Sequence, residues 1–213
     1  MNNAQVLKLF SFIGTKLINR HHILVVLLFS FPMQILMSAE NALILDDRKT
    51  GDLRATSGND WYLVTDGVMG GVSEGQLTVN MIEKRPCLRM RGDVSLENNG
   101  GFVQIALNLS DEVIQNIPEY SGVLVEVYGN SEQYNIHLRT EDIWLPWQSY
   151  RATFTAVPEW KTLYVPFTEF TPYRINKALD TSRLKRIGFV AIGRKFNADL
   201  CIGKVGFYRL QSE

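Results

Sequence analysis

Two short alternating runs contain the side chains most able to bind a ligand. In YNIHLRT, Asn135, His137 and Arg139 alternate with apolar residues, so a strand here would place all three on one face. In RATFTA, Arg151 and two threonines alternate with alanine and phenylalanine. If these two strands pair, their polar faces form one surface rich in hydrogen-bond donors.

Two tryptophans lie between these runs, in the loop EDIWLPWQ. Donors beside exposed rings suit sugars, because C–H faces stack on aromatic rings while hydroxyls form hydrogen bonds. Trp144, Trp147 and the arginines would equally suit a protein partner, since Trp, Tyr and Arg dominate interface hot spots. A third reading has both rings folded back over the core. The sequence leaves these three readings open.

The residues that could support catalysis form no recognisable set. Ser73 lies in GVSEG, but the nucleophile elbow with this spacing needs a strand–turn–helix context, and an alternating run follows here. The carboxylates form no evident acid–base pair. Of the three histidines only His137 lies beyond the N-terminal segment, and no Cys/His cluster has zinc-site spacing. The sequence therefore predicts a protein that is not an enzyme, with no metal and no cofactor.

Residues 1–39 predict a signal peptide or a membrane anchor. They contain Lys8, Lys16 and Arg20 but no acidic residue, and the apolar block ILVVLLFSF follows the basic part. This block falls short of the roughly 20 residues that span a bilayer. Cleaved export to the periplasm or the cell exterior is the preferred expectation, with a retained anchor and a cytosolic protein as alternatives.

The charge of the chain bears on its binding partners, and its two cysteines bear on the cell compartment. The formal net charge is +0 and no Lys/Arg run is present, which argues against nucleic acid as a partner. Cys87 and Cys201 both lie in apolar, strand-like runs. Export would allow them to pair, but two buried free thiols are the simpler expectation.

Beyond residue 42 the chain consists of short apolar or alternating runs separated by turn residues. About ten such runs, with little helix, predict an antiparallel sandwich or barrel. Ser110 followed by two acidic residues predicts one short helix. We expect one all-β domain over residues 43–210.

The stretch WYLVTDGVMGGVSEGQL contains the most particular motif of the chain. Its DGVMGGVS portion resembles the signature of the complex I intermediate-associated protein 30 family, and the likeness extends over roughly residues 43–209. The resemblance implies a galactose-binding-domain-like jelly roll. It also implies an assembly factor that binds partly built respiratory complex I, without known catalysis. The motif residues are Asp66, Val68, Met69, Gly70, Gly71 and Ser73.

The motif itself suggests a loop with a defined backbone shape. Gly70 and Gly71 permit positive φ or close backbone approach, and Asp66 can accept hydrogen bonds from loop amides. Met69 can either fill a gap or contact a partner. We therefore predict a non-catalytic protein-binding module resembling an assembly factor, with a carbohydrate-binding domain as the alternative. The predicted binding residues are Asn135, His137, Arg139, Trp144, Trp147 and Arg151.

Overall fold

The structure, a computed structural model, describes residues 42–210, apart from the side chain of Asn99. The predicted signal peptide or anchor lies outside the described residues. Twelve strands and one short α-helix occupy the described part. The strands are β1 (Ala42–Asp46), β2 (Trp61–Thr65), β3 (Glu74–Ile82), β4 (Arg85–Val94), β5 (Phe102–Asn108), β6 (Gly122–Gly129), β7 (Glu132–Thr140), β8 (Ser149–Ala156), β9 (Lys161–Pro166), β10 (Thr171–Tyr173), β11 (Leu184–Ile192) and β12 (Phe196–Tyr208).

The strands form two six-stranded sheets in which neighbouring strands are antiparallel. The back sheet has the order β3-β4-β12-β6-β9, with β1 also pairing with β12. The front sheet has the order β10-β8-β7-β11-β5-β2. The fold is a jelly-roll β-sandwich, which confirms the predicted all-β class.

Alternation along the strands builds the core. Tyr134, Ile136 and Leu138 of β7 are 0% exposed, as the alternating pattern predicts. Trp61 and Phe189 pack against each other with ring centroids 6.0 Å apart. Because every second side chain of the front strands points inward, the remaining ones form the outer face of the front sheet.

The α-helix of the described residues, α1 (Asp111–Asn116), begins where the sequence predicts it. The Ser110 hydroxyl accepts a hydrogen bond from the Val113 amide, and acidic residues occupy the first turn. Within residues 42–210 no helix is long and apolar enough to cross a membrane.

A disulfide joins Cys87 of β4 to Cys201 of β12. The two Cα atoms are 5.6 Å apart on neighbouring strands, and both residues are buried. The structure thus corrects the simpler expectation of two free thiols, because antiparallel pairing of these strands brings residues 114 positions apart into contact.

Candidate functional site

The outer face of the front sheet carries a groove with a volume of about 500 Å³. His137 and Arg151, predicted to share a polar face, lie opposite each other on β7 and β8. Trp147 and Tyr173 also line the groove, and Met69 lies at its border. The paired strands therefore bring three of the predicted binding residues together with an aromatic residue from β10.

A glycine on the outer face of β11 leaves room for a polar side chain of the groove. Gly188 lies opposite His137 on one side and Ala106 on the other. A Cβ atom at Gly188 would lie 2.4 Å from Nε2 of Gln104, so the Gln104 side chain extends across the glycine. Gln104 is thereby placed in the groove as a further polar side chain.

Arg151 links three elements around the groove. Its guanidinium carbon lies 3.5 Å from the centroid of the Tyr173 ring, a cation–π stack. Nε donates to Oγ of Ser149 at 2.8 Å, and Nη2 donates to the Trp147 carbonyl at 3.1 Å. Burial is the largest cause that lowers the pKa of Arg151, and Arg174 adds to it.

Arg139 forms hydrogen bonds with the loop at residues 141–148, which contains both tryptophans. Its Nη1 donates to the carbonyl oxygens of Pro146 at 2.9 Å and Gln148 at 2.8 Å, and both terminal nitrogens lie 3.2 Å from the Leu145 carbonyl. Burial lowers the pKa of Arg139, and the nearby Arg186 lowers it further. Both terminal nitrogens of Arg139 therefore contact the loop that carries Trp147, and Arg139 is not among the residues that line the groove. Its predicted binding role stays a prediction.

His137 lies at the base of the groove and is 7% exposed. Its buried Nε2 atom has no hydrogen-bond partner among the described residues. Burial, followed by the charges of Arg151 and Arg139, lowers the pKa of His137 to about 3. The imidazole is therefore neutral near pH 7, a form in which one ring nitrogen donates and the other accepts a hydrogen bond.

The two tryptophans occupy different positions. Trp144 is 88% exposed and Trp147 is 41% exposed, so the reading in which both rings cover the core is wrong. Trp147 lines the groove, whereas Trp144 is not among its lining residues. Asn135 is half-buried, and its Oδ1 accepts a hydrogen bond from Thr153 at 3.2 Å. The binding roles assigned to Asn135 and Trp144 stay predictions.

The motif loop is organised around the carboxylate of Asp66, which is 0% exposed. Oδ1 accepts from the Ser73 amide at 2.9 Å, and Oδ2 accepts from the Ser73 hydroxyl and the Gly101 and Phe102 amides. Gly70 has φ +88°, and a Cβ atom at Gly71 would lie 2.3 Å from Cγ of Asp66. Gly70 thus adopts the left-handed backbone conformation that glycine favours, and Gly71 leaves room for the Asp66 side chain.

The same loop presents apolar side chains outward. Val68 is 69% exposed and Met69 is 39% exposed. Met69 borders the groove, so it contacts solvent rather than filling a gap in the core. The motif therefore combines a fixed backbone with an exposed apolar tip.

Sequence reasoning missed several residues of the groove. Tyr173 and Arg174 come from β10 and the turn after it, a three-residue strand that contains a proline. Gln104 and Phe102 alternate with buried residues of β5, and that alternation was a usable signal. Among residues 42–210 no cluster of three His, Cys, Asp or Glu residues could hold a metal ion.

An antiparallel jelly roll with a lined groove on one sheet defines a binding module. The sequence model of the family "Complex I intermediate-associated protein 30" matches residues 52–202. The chain belongs to this family. A search of curated protein sequences finds no match.

Solved structures with a similar fold include carbohydrate-binding modules of Clostridium thermocellum. A family 11 module in complex with a β-1,3-1,4-mixed-linked tetrasaccharide has a TM-score of 0.63 and 12% identity, over 83% of this chain and 100% of that one. The family 11 module of a cellulosomal cellulase gives 0.64 and 13%, over 83% and 99%. A family 30 module gives 0.52 and 13%, over 71% and 92%. At these identities the likeness concerns the fold alone.

Proposed function

We propose that the chain is a non-catalytic carbohydrate-binding module that holds a segment of polysaccharide in the groove of the front sheet. The observation that carries this proposal is the presence of Trp147 and Tyr173 beside the polar side chains of Arg151, His137 and Gln104 in one groove. Aromatic faces and convergent hydrogen-bonding groups are what sugar recognition needs.

The position and size of the groove are compatible with a short segment of polysaccharide. The groove lies on the outer face of a sheet, and its volume of about 500 Å³ falls within the range of small-molecule sites. Arg151 and Arg139 fix the Trp147 loop through backbone carbonyls. A ring held in advance loses little conformational freedom on binding, which favours affinity.

Solved structures of similar fold support a carbohydrate-binding function at the level of the fold. The family 11 module of Clostridium thermocellum was solved with a tetrasaccharide, and its fold extends over 83% of this chain.

A protein partner is the second candidate, in keeping with the family's description as intermediate-associated proteins. The observation that favours it is the exposure of Trp144 (88%) and Val68 (69%), neither of which lines the groove. Large exposed apolar side chains are typical of interface hot spots. Such a role would make the chain resemble an assembly factor.

Export remains part of the proposal. The buried Cys87–Cys201 disulfide supports an oxidising compartment such as the periplasm or the cell exterior. Mass spectrometry of the N-terminus of the protein isolated from its cells tests this directly. Cleavage near residue 39 is expected, and an intact N-terminus on a membrane-bound protein would favour the anchor instead.

Two tryptophan variants test the sugar-binding role. A glycan array followed by fluorescence titration identifies a bound sugar, and Trp147→Ala is expected to weaken it about tenfold or more. Trp144→Ala is the matched control, because it removes an exposed ring from the same loop outside the groove. Absence of binding to every glycan, or loss only in the Trp144 variant, would reject the groove as a sugar site.

A further inference from the structure

The outer face of the front sheet is basic and lacks acidic side chains. Arg139, Arg151 and Arg186 point outward from β7, β8 and β11, and Arg174 follows β10. No Asp or Glu occupies an outward position of the six front strands, and none lines the groove. A ligand in the groove therefore meets positive charge on this face.

These four arginines do not pair with carboxylates within the described residues. The arginine ion pairs found there involve Arg48, Arg89, Arg91, Arg183, Arg194 and Arg209. Two guanidinium nitrogens of Arg151, Nε and Nη2, donate within the protein, and neither of these acceptors is a carboxylate. Arg174 is exposed, and its side chain stacks loosely on Tyr173 with 5.5 Å between the guanidinium carbon and the ring centroid.

The positive charge is local and does not reflect the composition of the domain. The whole chain has 22 basic and 22 acidic residues, and residues 1–39 contain three of the basic ones and no acidic one. Residues 40–213 therefore carry 19 minus 22, or −3. Bulk charge repels a polyanion, so attraction has to come from the groove itself.

His137 supplies an independent sign of a ligand. Its side chain lines the groove beside Arg151 and is only 7% exposed. Its buried Nε2 atom has no hydrogen-bond partner among residues 42–210. A buried polar atom without a partner is costly. A sugar hydroxyl or carboxylate that hydrogen-bonds this nitrogen would remove that cost on binding.

We infer that the groove selects acidic polysaccharides, with a carboxylate or sulfate group against Arg151 and Arg174 and a neighbouring polar group on His137. This inference rests on the proposed carbohydrate-binding function and specifies its ligand class. Planar guanidinium groups bind such anions through paired hydrogen bonds. The stack on Tyr173 fixes the plane of Arg151 before the ligand arrives.

Affinity electrophoresis of the full chain in gels that contain one polymer each tests the inference. The polymers are polygalacturonate, a sulfated galactan and an uncharged mixed-linked β-glucan. We expect binding at least about tenfold tighter to one acidic polymer than to the glucan. The acidic polymer that is retained identifies the anionic group.

Two arginine variants complete the experiment. Arg174→Asn keeps a residue suited to φ +56° and is expected to weaken acidic binding about fivefold while leaving binding to the glucan unchanged. Arg85→Gln is the control, because it removes one exposed arginine from the back sheet. An equal loss in both variants would mean unspecific charge attraction and overturn the inference.

Different results would reject the preference for acidic ligands and the carbohydrate-binding function. Equal retention by the glucan and the acidic polymers overturns the preference for acidic ligands and leaves sugar binding standing. Lack of retention by both acidic polymers overturns this inference, and lack of binding to every polymer and to every glycan of the array overturns the carbohydrate-binding function with it.

Discussion

The amide of Ser73 donates a hydrogen bond to Oδ1 of Asp66 at 2.9 Å, while the Ser73 hydroxyl donates to Oδ2 of the same carboxylate. Ser73 also accepts a hydrogen bond from the Ser95 amide at 2.9 Å. The pair thus ties the start of β3 to the end of β4, through a carboxylate that also accepts the Gly101 amide. The family motif therefore stabilises the loop and the strand ends next to it.

Asp66→Asn should destabilise the protein by about 2–4 kcal/mol, because a buried acceptor of several hydrogen bonds becomes partly a donor. Asp60→Asn is the control, since Asp60 is exposed. Urea unfolding followed by circular dichroism measures the difference. Equal midpoints for the two variants would show that the Asp66 network adds little stability.

The two motif glycines should respond differently to substitution. A Cβ at Gly71 meets the fixed Asp66 side chain at 2.3 Å, whereas nothing lies within 4 Å of one at Gly70. Gly71→Ala should therefore cost about 1–3 kcal/mol through overpacking. Gly70→Asn should cost less, because Asn tolerates the left-handed φ of +88°. Thermal unfolding of both variants checks the order, and the reverse order would contradict this account.

The sequence was informative where a pattern was local. Alternation in β7 predicted that Ile136 is buried and that His137 faces outward, and the Asp66 hydrogen bonds follow from the motif. The contribution of Tyr173 could not be predicted, because β10 is short and gains its position by pairing with β8. The hydrogen bonds from Arg139 to the loop could not be predicted either, because their acceptors are backbone carbonyls and not side chains.

Arg139 should act through the loop and not through ligand charge. Arg139→Ala removes the hydrogen bonds to the carbonyls of Pro146 and Gln148, so the Trp147 loop should become more mobile. We expect faster limited proteolysis within residues 141–148 and about tenfold weaker binding of both neutral and acidic ligands.

Arg186→Gln is the control for this variant. Arg186 lies on the same face and hydrogen-bonds Asn108 at 2.9 Å, away from the loop carbonyls. If proteolysis is unchanged in the Arg139 variant, or is accelerated equally in both variants, the hydrogen bonds from Arg139 do not hold the loop in place.

His137 should make stability depend on pH. The folded protein holds the pKa of His137 near 3, against an ordinary value of 6.5. Between these values the unfolded chain binds a proton that the folded protein does not, so stability is complete above about pH 6.5 and declines as the pH falls. The slope reaches about 1.4 kcal/mol per pH unit for one group.

His137→Gln should remove this slope. Urea unfolding at pH 7.0, 6.0 and 5.0 compares the two proteins. This range avoids the titration of Asp66: burial raises the pKa of Asp66, but the hydrogen bonds from Ser73 and Gly101 outweigh the effect of burial and lower the pKa from 3.8. An identical pH slope in both proteins would mean that His137 takes up its proton in the folded state as well.

The disulfide should provide a large share of the stability. Cys87 and Cys201 close a loop of 114 positions, and in the chain-entropy account such a bond stabilises the fold by about 5 kcal/mol. The double variant Cys87→Ser, Cys201→Ser should therefore unfold at a clearly lower urea concentration. Because both sulfurs are buried, the native protein should resist mild reduction. Thiol titration of the unreduced protein in denaturant should detect no free thiol, and two free thiols under these conditions would refute the pairing.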